Sequence, residues 1–312
     1  MPQGALPARI VNSAAVGNSW FVNEATGSDS NPGNAQLPFA TLDAAIAAAV
    51  ANNNDVVYLI GSSHRSTTLN WNKNGVSLVG LAAPSDNDRA RISVLGGLTQ
   101  AQVTALTPLV NVTGQGCSFV NLGTFYGFDG ALTPPTSSVC WAEAGGRNFY
   151  SNVQFLGGGD ALMAALAGMR SLTVAGNGEN LFVGCTIGLD TVVRATAANA
   201  SLELKGGTPR NRFEDCVFQA LCSLATDVHV LVGADGIDRY ALFKGCVFNA
   251  SVDSTGTALN AAVSADAAAG GSVILDPTCL SVGATAIATA GPVYGAAGAL
   301  GATTWGIGIH LT

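Results

Sequence analysis

The hexapeptide Phe213-Glu214-Asp215-Cys216-Val217-Phe218 returns almost unchanged as Phe243-Lys244-Gly245-Cys246-Val247-Phe248. Looser copies precede it: Phe182-Val183-Gly184-Cys185-Thr186-Ile187, Tyr150-Ser151-Asn152-Val153-Gln154-Phe155 and Phe119-Val120-Asn121-Leu122-Gly123-Thr124. Their first residues lie 31, 32, 31 and 30 positions apart. A period this steady restricts the chain to a repeat architecture, in which each unit buries its apolar face against its neighbours.

Within each unit an aromatic residue, a Cys or small apolar residue and a second apolar residue are separated by polar ones, which predicts a short strand with one buried face. A second short strand and a Gly-rich turn come before each copy. Leu172-Thr173-Val174 precedes Gly176-Asn177-Gly178, Leu202-Glu203-Leu204 precedes Gly206-Gly207, and Val228 to Val232 precedes Gly233-Ala234-Asp235-Gly236. No helical period falls between them. Leucine-rich or helical solenoids would write Leu and Asn ladders or amphipathic helices here, and neither is read from the sequence. The coils resemble the right-handed, single-stranded parallel β-helix of the pectate-lyase-like family, most of all the β-helix proteins of bacteriophage particles. That resemblance implies an all-β fold in which equivalent positions stack inside as aromatic, aliphatic and Cys ladders.

Length alone would allow two domains in 312 residues, but the repeat favours one elongated body. Only 11% of residues are charged, against roughly a quarter in ordinary domains. So little charged surface suits a protein that works inside an assembly. The net charge is −7 and the last basic residue is Lys244, so nucleic-acid binding is not expected. Of seven Cys, Cys185, Cys216, Cys246 and Cys117 sit at inward positions and are expected to pack as small hydrophobes. No Cys-x-x-Cys pair occurs, and His64, His229 and His310 lie far apart, so neither metal nor cofactor is expected. This usage fits synthesis in a reducing host cytoplasm. Met1-Pro2-Gln3-Gly4 does not begin a signal peptide, and the apolar run Ala44 to Ala51 is too short for membrane insertion.

Residues 1–18 read as an N-terminal arm. The β-helix is expected over 19–276, including a helix over 41–51 capped by Thr41, with Leu42, Ala45, Ile46 and Ala49 on one face. Trp20-Phe21-Val22-Asn23, the turn-dense Thr26 to Gly33, Pro38-Phe39-Ala40-Thr41-Leu42 and the Ala-rich helix together resemble the start of many β-helix proteins, which implies a plug on the first coil. Insertions are expected at Gly96 to Leu109, Thr133 to Thr136 and Asp160 to Met169. Over 277–312 no Asp, Glu, Lys or Arg occurs. In this tail Trp305, Ile307, Ile309 and Leu311 alternate with Gly306, Gly308, His310 and Thr312, predicting a terminal strand with one apolar face. These four residues are candidates for an interface with sister subunits; the alternative is a tail that folds back to cap its own solenoid.

Catalysis on sugars would need convergent groups. A hydrolase places two carboxylates about a glycosidic bond, and the resemblance implies, for a lyase, an Arg or Lys base and Asp-held calcium. Most of the acidic residues here fall at turns, about one per coil. Glu203 and Lys205 point to the same side of one strand, and Glu214 and Asp215 abut the next coil. An acidic patch near 203 to 215, with Glu203, Glu214 and Asp215, is therefore the catalytic candidate if a centre exists, with Tyr126, Trp141, Tyr240 and Trp71 as outward stacking groups. The reading reached is a noncatalytic structural protein of a virus particle, capsid-decorating or tail-associated, forming a homotrimer and touching the capsid shell or tail. The alternative is a tailspike-like protein that binds or degrades surface glycans.

Overall fold

The computed structural model describes residues 17–81, 90–128, 130, 132–196, 199–252, 257–289, 291–295, 305–306 and 309–310. The aromatic residues that open the five repeats are direct partners in adjacent parallel strands: Phe119 with Tyr150, Tyr150 with Phe182, Phe182 with Phe213 and Phe213 with Phe243. Their rings stack with centroids 4.9, 4.5, 4.6 and 4.8 Å apart. That is the spacing of neighbouring strands, about 4.8 Å, so every coil adds one ring to a continuous pile.

The hexapeptide is split between two strands in its last three copies and runs within one bent strand in the first two, Ser118–Tyr126 and Phe149–Gly157. It bends in the middle, because Asn121, Asn152, Gly184, Asp215 and Gly245 all hold a left-handed backbone, with φ of 53°, 51°, 60°, 54° and 63°. Gly, Asn and Asp enter that region at least cost. Each coil therefore passes from a first face, such as Thr208–Glu214, across this corner to a second face, such as Val217–Cys222. Just past the corner Cys185, Cys216, Cys246 and Cys279 line up inside. The thiols of Cys216, Cys246 and Cys279 donate to the carbonyls of Phe182, Phe213 and Phe243, one coil back, at 3.6, 3.3 and 3.4 Å.

A third face closes each coil. Its seven parallel strands run from Leu69–Trp71 through Val139–Glu143, Arg170–Val174 and Ala200–Leu204 to Val263–Ala265. The first two faces are joined in a 17-stranded sheet, and together the three faces form a parallel β-helix of about seven turns. Short helices are the only α structure among the described residues: α1 (Leu42–Ala48), α2 (Gln100–Ala105) and α3 (Ala161–Ala164). Helices α2 and α3 lie in two of the three expected insertions, Gly96 to Leu109 and Asp160 to Met169.

The expectation of outward aromatics fails for three of the four. Trp71 and Trp141 are third-face residues pointing inward, and both pack edge-on against Phe119. Tyr126 is also buried and donates its hydroxyl to the Leu106 carbonyl. The core is wide enough at these coils to need large rings from all sides. Tyr240 alone is half-exposed.

The first coil is closed by α1. Thr41 accepts from Ala44 N at its start, and Leu42, Ala45 and Ile46 are its buried face. The helix ends earlier than expected, at Ala48, because the backbone is already extended at Ala49, with ψ of 149°, and the chain then turns through Asn52 and Asn54, both left-handed. Lys73 Nζ caps its last turn through the carbonyls of Ala47 and Ala49 at 2.9 and 2.5 Å. The Asp29 loop serves the same entry, accepting from Ala40 N, Thr41 N and Thr41 Oγ1 at 3.0, 2.9 and 2.8 Å.

At the other end the uncharged segment starts as part of the solenoid. Cys279 extends the Cys column, and Leu280–Val282 and Val293–Gly295 are the outermost rungs of the second and first faces. Beyond them the expected single strand is folded over: Trp305 pairs antiparallel with His310, and Gly306 with Ile309. Ile307, Leu311 and the arm residues 1–16 lie outside the described residues.

Candidate functional site

The candidate carboxylates are on different faces. Glu203 points outward from the third face, where Arg170 Nε reaches it at 3.3 Å and Lys205 Nζ at 3.8 Å. Alternation of the strand explains the direction, since Leu202 and Leu204 on either side are fully buried. Glu214 ends a first-face strand and pairs with Arg212 of that strand. Asp215 occupies the left-handed corner itself, with its side chain against Gly245 of the next coil. The acidic patch expected from 203 to 215 is thus not assembled; the turn at Gly206-Gly207 carries the chain from one face to another between its members.

A surface trough of about 450 Å³ runs along the outer side of the third face, and Thr107, Pro108, Ser137, Ala142, Thr173 and Lys205 contribute to its walls. Lys205 brings the Arg170–Glu203–Lys205 chain to its edge. No aromatic ring lines it. Among the described residues no group of three or more His, Cys, Asp or Glu side chains is placed to hold a metal ion, and no helix is long and apolar enough to cross a membrane.

Three polar arrangements escaped the sequence reading. The first is an Asn column, contrary to the expectation that none exists. Asn148, Asn180 and Asn211 are buried, and their amide oxygens accept the backbone N–H of Cys117, Asn148 and Asn180 at 2.8, 2.9 and 3.2 Å. Each sits two residues before a ladder aromatic, so the 32- and 31-residue spacing was present in the sequence. The second is Glu143, buried beneath the trough. It accepts from Gly146 N at 2.8 Å, from Asn148 Nδ2 and from the Tyr150 hydroxyl, while burial pushes its carboxyl up. The third is a buried group of Arg194, Asp227 and His229 at the corner between the second and third faces. Their spacing does not signal it: His229 lies on a repeating third-face strand, but Arg194 and Asp227 have no counterparts of like chemistry in the neighbouring coils.

On the first-face side, Glu179 is held between Arg147 and Arg210, each at 2.8 Å. The hydrogen bond from Arg147 is the main reason its carboxyl sits below the usual range, with both guanidinium charges adding to it. These side chains stack coil on coil as an exposed ionic stripe.

Stacked parallel coils with these ladders define the class: the chain is a right-handed parallel β-helix. No family model and no curated protein matches the sequence. Among solved structures it is similar to a rhamnogalacturonan lyase, 17% identical with a TM-score of 0.58 over 89% of this chain and 72% of that one. It is also similar to pectate lyase Pel9A, at 15% identity and a TM-score of 0.58 over 91% of this chain and 66% of that one. A looser likeness, with 12% identity and a TM-score of 0.44, is to ORF18 of Geobacillus virus E2, over 88% of this chain and 59% of that one. At such identities the shared property is the fold.

Proposed function

We propose that the chain is a noncatalytic structural subunit of a virus particle, a capsid-decorating or tail-associated β-helix of a bacteriophage. It assembles as a homotrimer that seats on the capsid shell or tail through its C-terminal end. The observation that carries this reading is that the last coils expose apolar side chains within an uncharged segment. Leu37 and Val50 at the other end are also exposed, at 51% and 53%, but in a segment that carries Asp29, Asp43 and Asp55. The first coil is covered by α1 and its polar caps. The last coils leave Leu280 at 61% and Val282 at 53% exposure on the second face and Ile274 at 36% on the first, and Leu280 and Val282 lie in a stretch that carries no charge through residue 312. Exposed apolar surface rimmed by little charge favours a protein partner. Seven unpaired, buried cysteines agree with assembly from a reducing host cytoplasm into a virion. The ion-paired state of Glu203 and Glu214 also supports a noncatalytic role.

Light scattering with small-angle X-ray scattering on the full-length protein tests this. A trimer or larger assembly is expected, and the pair Leu280→Asp and Val282→Asp is expected to reduce it to monomer with unchanged far-UV circular dichroism. A monomeric wild type that shortens a polysaccharide would overturn the proposal.

The trough on the third face favours a second reading, a glycan-binding or glycan-degrading tailspike-like protein. Its single exposed cation, Lys205, suits an acidic sugar, the class named in the pectate lyase it resembles. Titration with acidic oligosaccharides should then give saturable heat, and Lys205→Glu should weaken binding about tenfold or more through charge reversal. Equal binding by both proteins would exclude the trough as the site.

A further inference from the structure

The corner between the second and third faces contains more polar chemistry than its protein partners satisfy. Val193–Arg194 pairs with Leu221–Cys222 on the second face. Ala200 and Leu202 pair with Val228 and Val230 on the third, which sets Ser201 level with His229 and Asn199 level with Asp227. All of Arg194, Asn199, Ser201, Cys222, Asp227 and His229 are buried. The apolar cluster of Ala220, Cys222, Ala250 and Leu259 packs in the same corner.

Arg194 Nη2 donates to Ser201 Oγ at 2.7 Å. Its Nη1, both carboxylate oxygens of Asp227, both ring nitrogens of His229 and Asn199 Oδ1 have no hydrogen-bond partner in the protein. Buried polar atoms are nearly always bonded, so six orphans in one corner call for an occupant. Elsewhere among the described residues such atoms are scattered, as at Trp141 Nε1 and Ser281 Oγ. We infer that Arg194, Asp227 and His229 line a closed chamber that binds a small cluster of water molecules.

The donor and acceptor set selects the occupant. Near neutral pH an anion would satisfy Arg194 and be repelled by the Asp227 carboxylate, and a cation would do the reverse. An apolar molecule would leave every orphan unsatisfied. Arg194 feels Asp227, the Cys222 thiol and Arg170 electrostatically, yet it makes no hydrogen bond to the Asp227 carboxylate. Only a neutral ligand that both donates and accepts can bridge guanidinium, carboxyl and imidazole together, and water has that chemistry at the smallest volume. Burial pushes the Asp227 carboxyl up to about 6 against the pull of Arg194. Burial and Arg194 hold the His229 imidazole down to about 3. In mild acid both therefore present neutral, two-way hydrogen-bonding groups to the chamber.

A high-resolution crystal structure of the full chain tests the chamber directly. Ordered waters bridging Arg194 Nη1 to Asp227 and His229 are expected. A direct, solvent-free Arg194–Asp227 pair, or a bound ion in place of water, would overturn the inference. A second arm compares Asp227→Asn with Asp227→Leu in mild acid by equilibrium unfolding. Asn retains the two-way hydrogen bonding and is expected to match the wild type. Leu, of similar bulk, is expected to lower the folded-to-unfolded ratio by about tenfold, the effect of stranding a buried polar partner. Equal stability of the two variants would mean a dry corner and would sink the proposal.

Discussion

Replacing Phe213 by alanine is expected to lower unfolding free energy by about 3–5 kcal/mol, the range for deleting a fully buried Phe. Phe213 is the middle of the pile, stacked on Phe182 at 4.6 Å and on Phe243 at 4.8 Å, with Phe218 edge-on at 6.0 Å. A void there cannot be filled from either side, because the neighbouring rings are fixed by the pairing of their own strands. The control is Phe21→Ala. Phe21 stacks on Tyr58 at 5.0 Å, but both are half-exposed, so its loss should cost no more than about 1 kcal/mol. Urea titrations of the two variants check the contrast. Equal effects would mean that stacking itself, and not burial within the ladder, supplies the stability.

The Phe213 result also bears on how the solenoid comes apart. In a repeat protein each coil is stabilised by its immediate neighbours, so damage at one rung is felt first by the coils that share it. Coils near Phe182 and Phe243 should lose amide protection before those at Val56–Leu59, which pair far from the defect. Hydrogen exchange on the variant would map that gradient.

The repeat made this fold readable, and its limits follow from the same cause. Phe119 to Phe243 could be aligned because ladder positions demand similar side chains coil after coil. The corner residues Asn121, Asn152, Gly184, Asp215 and Gly245 stand in the same hexapeptides, but hydropathy does not separate them from a strand interior; their shared property is a tolerance for positive φ. The Asn column was equally periodic and was overlooked because polar residues in repeats are ordinarily taken as outward-facing. The inward direction of Trp71 and Trp141 is hidden for a related reason. Each falls on the third face, whose repeat is weaker in sequence, so its inward phase had no aromatic register to fix it. The Arg194 corner could not be read at all, since its charged residues occur once and are not repeated from coil to coil. Of the candidate site, the Glu203–Lys205 pairing follows from strand alternation, whereas its separation from Glu214 depends on where the turn bends the coil.

The first coil gives the second large expectation. Asp55 is fully buried, and its carboxylate gathers Asn18 N at 2.7 Å, Trp20 Nε1 at 3.1 Å, Val50 N at 2.8 Å and Asn53 Nδ2 at 2.7 Å. It thereby joins the first strand, the exit of α1 and the start of the second rung. Asp55→Ala strands these donors at once and is expected to cost about 3–5 kcal/mol, each charge-assisted bond being worth roughly 1.5–3 before non-additivity. Limited proteolysis should then cut first near the chain's start, within the segment that α1 seals. Desolvation works to raise the carboxyl, but the hydrogen bonds from Val50, Trp20, Asn18 and Asn53 prevail and bring it from 3.8 to about 2. Because the folded-state value is depressed, this contribution is complete above the unfolded value and disappears as pH falls from about 4 towards 2. Its size, about 2 kcal/mol, follows from that shift. The wild type should therefore lose stability more steeply than Asp55→Ala across that acid window, and parallel pH profiles would show that Asp55 does not hold the cap.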